Sequence, residues 1–225
     1  DLLVITSIFC VGTYVGIRFF KLDRELAILT SVGSAICGAA AILATESVLK
    51  PRQQNVTVAV ATVVLFGTLA MFSYPLIFQF SGMSEQAFGI YIGSTVHEVA
   101  QAVAAGEAVG GEALQNAVVV KLIRVMMLAP FILILSAYLT RTSARDSANP
   151  SGSKIAIPWF VFGFIAASGI NSMLLLPEAL LSTLQLASQF SLAIAMAALG
   201  VQTRWSTIRQ AGAKPMVLSL MLFVM

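Results

Sequence analysis

Five polar side chains interrupt stretches that are otherwise apolar enough to lie in a lipid bilayer. A charged side chain near the bilayer centre costs about 2.5–3.5 kcal/mol on insertion scales, so three unpaired charges would cost roughly 8–10 kcal/mol. Such groups must be paired or hydrated, and they mark a candidate functional site. The five residues are His97, Glu98, Gln101, Lys121 and Arg124.

Two basic residues predict the chemistry of this site. Lys121 and Arg124 are three residues apart, so they share one face of a helix. The planar guanidinium group of an arginine holds an oxyanion with two parallel hydrogen bonds. The pair therefore predicts an anion site. A structural ion pair between Glu98 and either basic residue explains the same sequence equally well, and both can hold.

The acidic and imidazole groups suggest a role in proton coupling and argue against a metal site. Glu98 is a candidate for proton coupling, because a carboxyl group inside a membrane can change between charged and neutral forms during transport. The run from His97 to Gln101 begins like the zinc-protease motif HExxH, but its last position is Gln101, and His97 is the only histidine in the chain. The sequence therefore predicts no metal site, no cofactor and no catalytic residue.

An earlier segment of small residues offers backbone donors. If a helix begins near Gly38, its first N–H groups would attract an anion. A glycine- and alanine-rich segment also forms a tight helix-packing surface, and that alternative stays open. The predicted substrate-binding residues are Ser34, Cys37, Gly38, Ala39, His97, Gln101, Lys121 and Arg124, with Glu98 for proton coupling.

The elements that must position these residues are membrane helices. The 225 residues are 58% hydrophobic and only 10% charged, whereas a soluble domain carries about 25% charged residues. A bilayer core about 30 Å thick needs roughly 20 apolar residues per helix. The chain starts beside one apolar run and stops inside another, so we expect segments beyond both ends. The predicted spans are Leu2–Phe20, Val56–Phe80, Ala113–Leu139, Ile155–Leu176 and Ala179–Val201.

The loop charges predict an unusual topology, because basic residues in short loops mark the cytoplasmic side. By this rule, Glu25–Leu49 starts and ends at the cytoplasmic side, and Ala87–Ala105 starts and ends at the external side. Both segments are therefore predicted to be re-entrant hairpins, with fully crossing interrupted helices as the alternative. Glycines that would permit the breaks are Gly33, Gly38, Gly89 and Gly93. Basic connections are Arg18–Arg24, Lys50–Arg52, Arg141–Lys154 and Arg204–Lys214; those without basic residues are Ser81–Gln86, Gly106–Glu112 and Leu176–Glu178.

An internal similarity suggests a repeat. Gly33–Ala44 aligns with Gly93–Ala104 at a shift of 60 residues, with four identities in twelve positions. Each copy precedes one long apolar span. Inverted repeats with broken helices near the midplane are typical of secondary transporters, although chance similarity between alanine-rich segments would give the same pattern.

Five sets of residues, in this order along the chain, carry a family resemblance: Lys21–Ala27, Ala35–Ile42, His97–Gln101 with Ala104–Gly106, Lys121–Val125 with Leu128–Pro130, and Ala195–Gly200. They resemble the YeiH-like bacterial membrane proteins, a family labelled as sulfate exporters. The resemblance covers nearly the whole chain and implies a distant relationship to the cation:proton antiporter and anion transporter group, with inverted repeats and interrupted helices. The family pattern usually has serine at the position of Ala40, and family members are longer at the N-terminus.

Together these observations predict an all-α polytopic membrane protein with inverted-repeat-like helices and two re-entrant or interrupted segments. Residues 1–140 would form the core, 141–154 a cytoplasmic loop and 155–225 further transmembrane helices. The predicted function is secondary transport of a small anion, sulfate or an organic sulfonate, across the bacterial inner membrane. Alternatives are a cation:proton antiporter that uses Glu98 and, less favoured, a membrane-embedded enzyme or a scaffold. The expected partners are the anion and the lipid bilayer, with no nucleic acid, and a homo-oligomer is allowed.

Overall fold

The computed structural model describes residues 2–146, 177–202 and 212–225, with positions 163, 166, 167, 169, 170 and 172. The regular structure of these residues is α-helical, as predicted, and no strand is present among them. The helices are α1 (Leu2–Arg18), α2 (Arg24–Ala35), α3 (Ala39–Leu49), α4 (Gln53–Ser81), α5 (Glu85–Thr95), α6 (Val99–Val109), α7 (Gly111–Met126), α8 (Leu128–Asp146), α9 (Glu178–Gln202) and α10 (Ala213–Val224).

Within the described residues, two helical stretches are long and apolar enough to cross a membrane. They are α4 over Gln53–Ser81 and the pair α7–α8 over Gly111–Leu139, and they contain two of the predicted spans. Helix α8 continues to Asp146, which is inside the segment 141–154 predicted as a loop. The rest of that loop and almost all of the predicted span Ile155–Leu176 lie outside the described residues.

Exposed apolar side chains form a continuous stripe on α4. Leu69, Phe72, Leu76 and Phe80 follow one another at helical spacing and are 51%, 68%, 61% and 88% exposed. Water-soluble proteins rarely leave so large an apolar surface uncovered. The stripe is therefore suited to lipid or to further membrane helices.

Both segments predicted to be broken are interrupted helices. Ile36, Cys37 and Gly38 separate α2 from α3, and Gly38 has a φ of +65° that favours glycine. Val96, His97 and Glu98 separate α5 from α6. The predicted roles of the other glycines are wrong, since Gly33, Gly89 and Gly93 lie inside helices.

The ends of each interrupted segment come together. Near the start of α2, the Glu25 carboxylate accepts hydrogen bonds from Arg52 N at 3.0 Å and Asn55 Nδ2 at 2.9 Å, just beyond the end of α3. At the start of α5, Glu85 packs against Gly110 at the end of α6, where an added Cβ would lie 2.8 Å from Glu85 Oε1. The start and the end of each interrupted segment therefore lie close together.

The glycines of α5 allow α7 to pack directly against its backbone. A Cβ added to Gly89 would lie 2.7 Å from Ala113 Cα, and one added to Gly93 would lie 2.8 Å from Val120 Cβ. The contacts advance in the same direction along both helices, so α5 and α7 run parallel. Small residues at such contacts let helix backbones approach closely in a membrane.

This close approach gives a test of the packing. Gly89→Ala should lower the free energy of unfolding by about 1–3 kcal/mol, the usual cost of overpacking, because its Cβ meets the Ala113 backbone rather than a movable side chain. Gly111→Ala is the control, since nothing lies within 4 Å of the added atom. Thermal unfolding in detergent, followed by circular dichroism, measures both variants. Equal stability of the two variants would contradict the packing described here.

Candidate functional site

The two interruptions fall at equivalent positions of the repeat. A shift of 60 residues moves Ala35, where α2 ends, onto Thr95, where α5 ends. The same shift moves Ala39, the first residue of α3, onto Val99, the first residue of α6. The boundaries of the broken helices thus agree with the alignment of Gly33–Ala44 with Gly93–Ala104, which supports a structural repeat.

Arg124 of α7 joins the C-terminal ends of α2 and α5. Its Nε donates a hydrogen bond to Ala35 O at 2.8 Å, and its Nη2 donates to Ala35 O at 2.6 Å and to Ser34 O at 3.2 Å. Its Nη1 donates to Ser94 O, at the position equivalent to Ser34. The side chain is 1% exposed, so a single guanidinium group connects both broken segments inside the protein.

Lys121, one helical turn earlier, makes the same kind of connection. Its Nζ donates hydrogen bonds to Ile36 O at 3.4 Å and to Val96 O. Ile36 and Val96 are again 60 residues apart and follow the last residues of α2 and α5. The ammonium group is fully buried and lies between equivalent carbonyls of the two units.

The carbonyl groups explain why these cations are buried. The last four C=O groups of an α-helix have no partner within the helix, and the helix dipole makes that end negative. Inside an apolar environment each unsatisfied polar group costs several kcal/mol. Lys121 and Arg124 supply both hydrogen bonds and positive charge to two such ends at once.

Glu98 caps the helix start of the opposite unit. Its Oε1 accepts a hydrogen bond from Ala39 N at 2.5 Å, and Ala39 is the first residue of α3. A helix does begin directly after Gly38, and a carboxylate of the same chain accepts a hydrogen bond from its first N–H group. Gly38 makes room for this contact, because a Cβ there would lie 2.8 Å from Glu98 Cδ.

Gln101 fixes the second break against α4. Its Oε1 accepts a hydrogen bond from Glu98 N at 3.3 Å, and its Nε2 donates to Thr68 Oγ1 at 3.2 Å and Val64 O at 3.4 Å. Gly67 leaves the space for this amide, since a Cβ added there would lie 2.8 Å from Gln101 Cδ. Gln101 is fully buried and positions Glu98 rather than facing an open site.

Three other predicted residues lie in or beside the breaks. His97 is buried, stacks on Phe223 with ring centroids 6.1 Å apart, and has no hydrogen-bond partner for Nδ1 among the described residues. The buried Ser34 hydroxyl likewise has no partner there. Cys37 is a buried free thiol between α2 and α3. These groups leave polar atoms next to the junction of the two breaks.

The structure therefore brings the predicted residues of both breaks and of α7 to one junction, with different partners from those expected. Among the described residues, Lys121 and Arg124 donate to carbonyls and Glu98 accepts from Ala39 N, so the alternative of a hydrogen-bonded ion pair with Glu98 is not what the structure contains. No group of three metal-ligating side chains is placed to hold an ion within the described part of the chain. Sequence analysis missed five carbonyl groups, those of Ser34, Ala35, Ile36, Ser94 and Val96.

Sequence comparisons relate the chain to a family of membrane proteins. The family described as conserved hypothetical protein 698 matches residues 1–219. The chain is 49% identical over 225 residues to the UPF0324 inner membrane protein YeiH of Escherichia coli K12, covering 99% of this chain and 64% of that protein. It is 51% identical over 231 residues to a UPF0324 membrane protein of Yersinia pestis and 48% over 229 residues to one of Pseudomonas aeruginosa PAO1. These alignments cover 100% and 99% of this chain, respectively, and 64% of each relative, so the chain spans less than two thirds of their length. No solved structure matches.

The Gly38 contact gives a test of the junction. Gly38→Ala should destabilise the protein, because the backbone has φ +65° and the new Cβ displaces the Glu98 carboxylate. Gly82→Ala is the matched control, with φ +66° and nothing within 4 Å of the added atom. Backbone strain of about 1–3 kcal/mol is common to both. Greater loss of thermal stability in Gly38→Ala than in Gly82→Ala measures the contact with Glu98, and equal losses would show that the contact contributes nothing.

Proposed function

The chain belongs to the conserved hypothetical protein 698 family of membrane proteins, and we propose that it forms the core of a secondary transporter for a small anion. The observation that carries this proposal is the carboxylate of Glu98 bound at the first N–H of α3. The proposed location is the inner membrane, where the relative YeiH is named as residing. The proposed substrate class is sulfate or an organic sulfonate.

The position of the Glu98 carboxylate indicates where the oxyanion of a substrate would bind. A helix start binds anions because its first N–H groups lack partners and its dipole end is positive. A sulfate or sulfonate group presents oxygen acceptors of the same kind and size to Ala39 N. The α3 start, at the junction of both breaks, is therefore the proposed centre of the anion site.

Two buried cations support an anionic rather than a cationic substrate. Lys121 and Arg124 are 0% and 1% exposed, and Glu98 is the carboxylate that contacts the junction. Hydrogen bonds to carbonyls use most of the N–H donors of both basic groups. Their proposed role is to hold the two breaks together and to make the junction electropositive, rather than to grip the substrate directly.

Interrupted helices also support transport. Non-helical backbone at membrane depth is tolerated only where protein buries it or a water-filled cavity faces it. We infer that the two interrupted segments are re-entrant hairpins from opposite faces, with Arg52 beside the first and Glu85 beside the second. Secondary transporters place substrate sites where such broken helices meet near the midplane. Movement of this core against the remaining helices would give alternating access.

A cation:proton antiporter is the second candidate, because Glu98 brings a carboxylate to the junction. In that case the carboxylate would bind the transported cation. Its contact with a backbone N–H donor, rather than with a set of oxygen ligands, favours the anion transporter. A membrane-embedded enzyme or a scaffold has no comparable support from the described residues at the junction.

Substitution of Arg124 tests the proposed function. The full-length protein, reconstituted in liposomes, should transport radiolabelled sulfate or a small sulfonate. Arg124→Gln should lower that flux at least tenfold, because it removes a buried charge and four hydrogen bonds to three carbonyls. Arg124→Lys keeps the charge but lacks the fork that spans these carbonyls, so it should retain part of the flux.

The control is Arg24→Gln, which removes an exposed charge at the start of α2. Size-exclusion chromatography confirms that each variant is folded before flux is compared. Full sulfate flux in folded Arg124→Gln would contradict the proposal. Proton-driven flux of sodium or potassium without any anion flux would favour the antiporter instead.

A further inference from the structure

One backbone donor at the junction cannot serve Glu98 and a substrate anion at the same time. Ala39 N lies 2.5 Å from Glu98 Oε1, so the carboxylate fills the space in front of this N–H. A second negative charge close to this carboxylate would be strongly repelled, because the dielectric constant inside a protein is far below that of water. Occupancy by charged Glu98 and by an oxyanion therefore exclude each other.

Glu98 and the backbone N–H group that it contacts belong to different units. Glu98 belongs to the break between α5 and α6, while Ala39 begins α3, 59 residues earlier. The contact thus joins the two breaks as well as filling the anion site. When Glu98 leaves α3, one direct connection between the two units is lost, although those of Lys121 and Arg124 remain.

Protonation of Glu98 would weaken its contact with Ala39 N. The described ionisable groups that interact with it are Lys121 of α7 and the Cys37 thiol of the first break. His97 is its chain neighbour, Arg124 lies one turn beyond Lys121, and α4 contributes only the neutral Thr68 through Gln101. A neutral carboxyl group binds Ala39 N less strongly than a carboxylate does, because charge-assisted hydrogen bonds are roughly twice as strong.

We propose that Glu98 is a tethered competitor of the transported anion, an inference that rests on the proposed function. Charged Glu98 occupies the start of α3 and closes the site. A proton from the aqueous phase neutralises its carboxyl group, which leaves Ala39 N, and the substrate oxyanion takes its place. One proton and one anion are then bound together and move in the same direction, and both are released before Glu98 returns.

Sulfate binding to the purified full-length protein tests the competition. In wild-type protein the dissociation constant for sulfate should rise with pH, by up to about tenfold per pH unit, as the fraction of neutral Glu98 falls. Glu98→Gln mimics the neutral form, so its affinity should be independent of pH and at least equal to that of wild-type protein at acid pH. The matched control is Glu107→Gln, which removes an exposed carboxylate from α6 and should keep the wild-type pH dependence.

The outcomes separate this inference from the proposed function. Loss of sulfate binding in Glu98→Gln, with binding kept in Glu107→Gln, would overturn the inference and make Glu98 a required part of the site. Unchanged pH dependence in Glu98→Gln would overturn it as well, while leaving anion transport in place. Absence of sulfate and sulfonate binding in all the proteins at every pH would overturn the proposed function together with the inference.

A measurement on wild-type protein avoids dependence on the fold of a variant. A hydrophobic carbodiimide reacts with neutral carboxyl groups in membrane proteins, and mass spectrometry locates the adduct. Sulfate should accelerate the labelling of Glu98, because the bound anion keeps Glu98 neutral and away from Ala39. Labelling that is unchanged or slowed by sulfate would contradict competition.

Discussion

The rest of the structure depends on one set of contacts, in which Lys121 and Arg124 donate hydrogen bonds to the carbonyl groups of two interrupted helices. Five carbonyl groups at the ends of α2 and α5 receive their hydrogen bonds from these two side chains. Without such donors, neither helix could end inside an apolar environment, since each unsatisfied group costs several kcal/mol. The same contacts hold the two units together, so positioning and stability depend on one pair of residues.

The repeat supplies a symmetric frame around an asymmetric site. Lys121 bonds to the equivalent positions 36 and 96, and Arg124 bonds to the equivalent positions 34 and 94. Arg124 also makes two hydrogen bonds to Ala35 O of the first unit. Positions 38 and 98 differ, because Gly38 has no side chain and Glu98 has a carboxylate. That single difference puts one unit's acid on the other unit's helix start, and it makes Gly38 as important to the site as Glu98.

Much of this arrangement could be predicted from the sequence, because lipid makes charge and backbone breaks expensive and therefore visible. The membrane helices, both interruptions and the grouping of Glu98, Lys121 and Arg124 follow from that cost. The partners could not be predicted in the same way, since every residue has a carbonyl group and no side-chain pattern marks those of Ala35 or Val96. Glycine was misleading at Gly89 and Gly93, where it serves helix packing, and the second break contains no glycine at all.

The charge left at the junction connects the fold with the proposed substrate. Two helix C-terminal ends and two helix N-terminal ends meet there. Each C-terminal end carries roughly half a negative charge and each N-terminal end roughly half a positive charge, so these contributions largely cancel. Lys121 and Arg124 are the basic groups there, and charged Glu98 offsets part of their positive charge. Once Glu98 is neutral, no carboxylate among the described residues contacts the junction in its place. The proposed oxyanion would be attracted by these two basic groups, whereas a cation would be repelled by both. Under the proposed function, the two residues that complete the helices therefore also select for an anion.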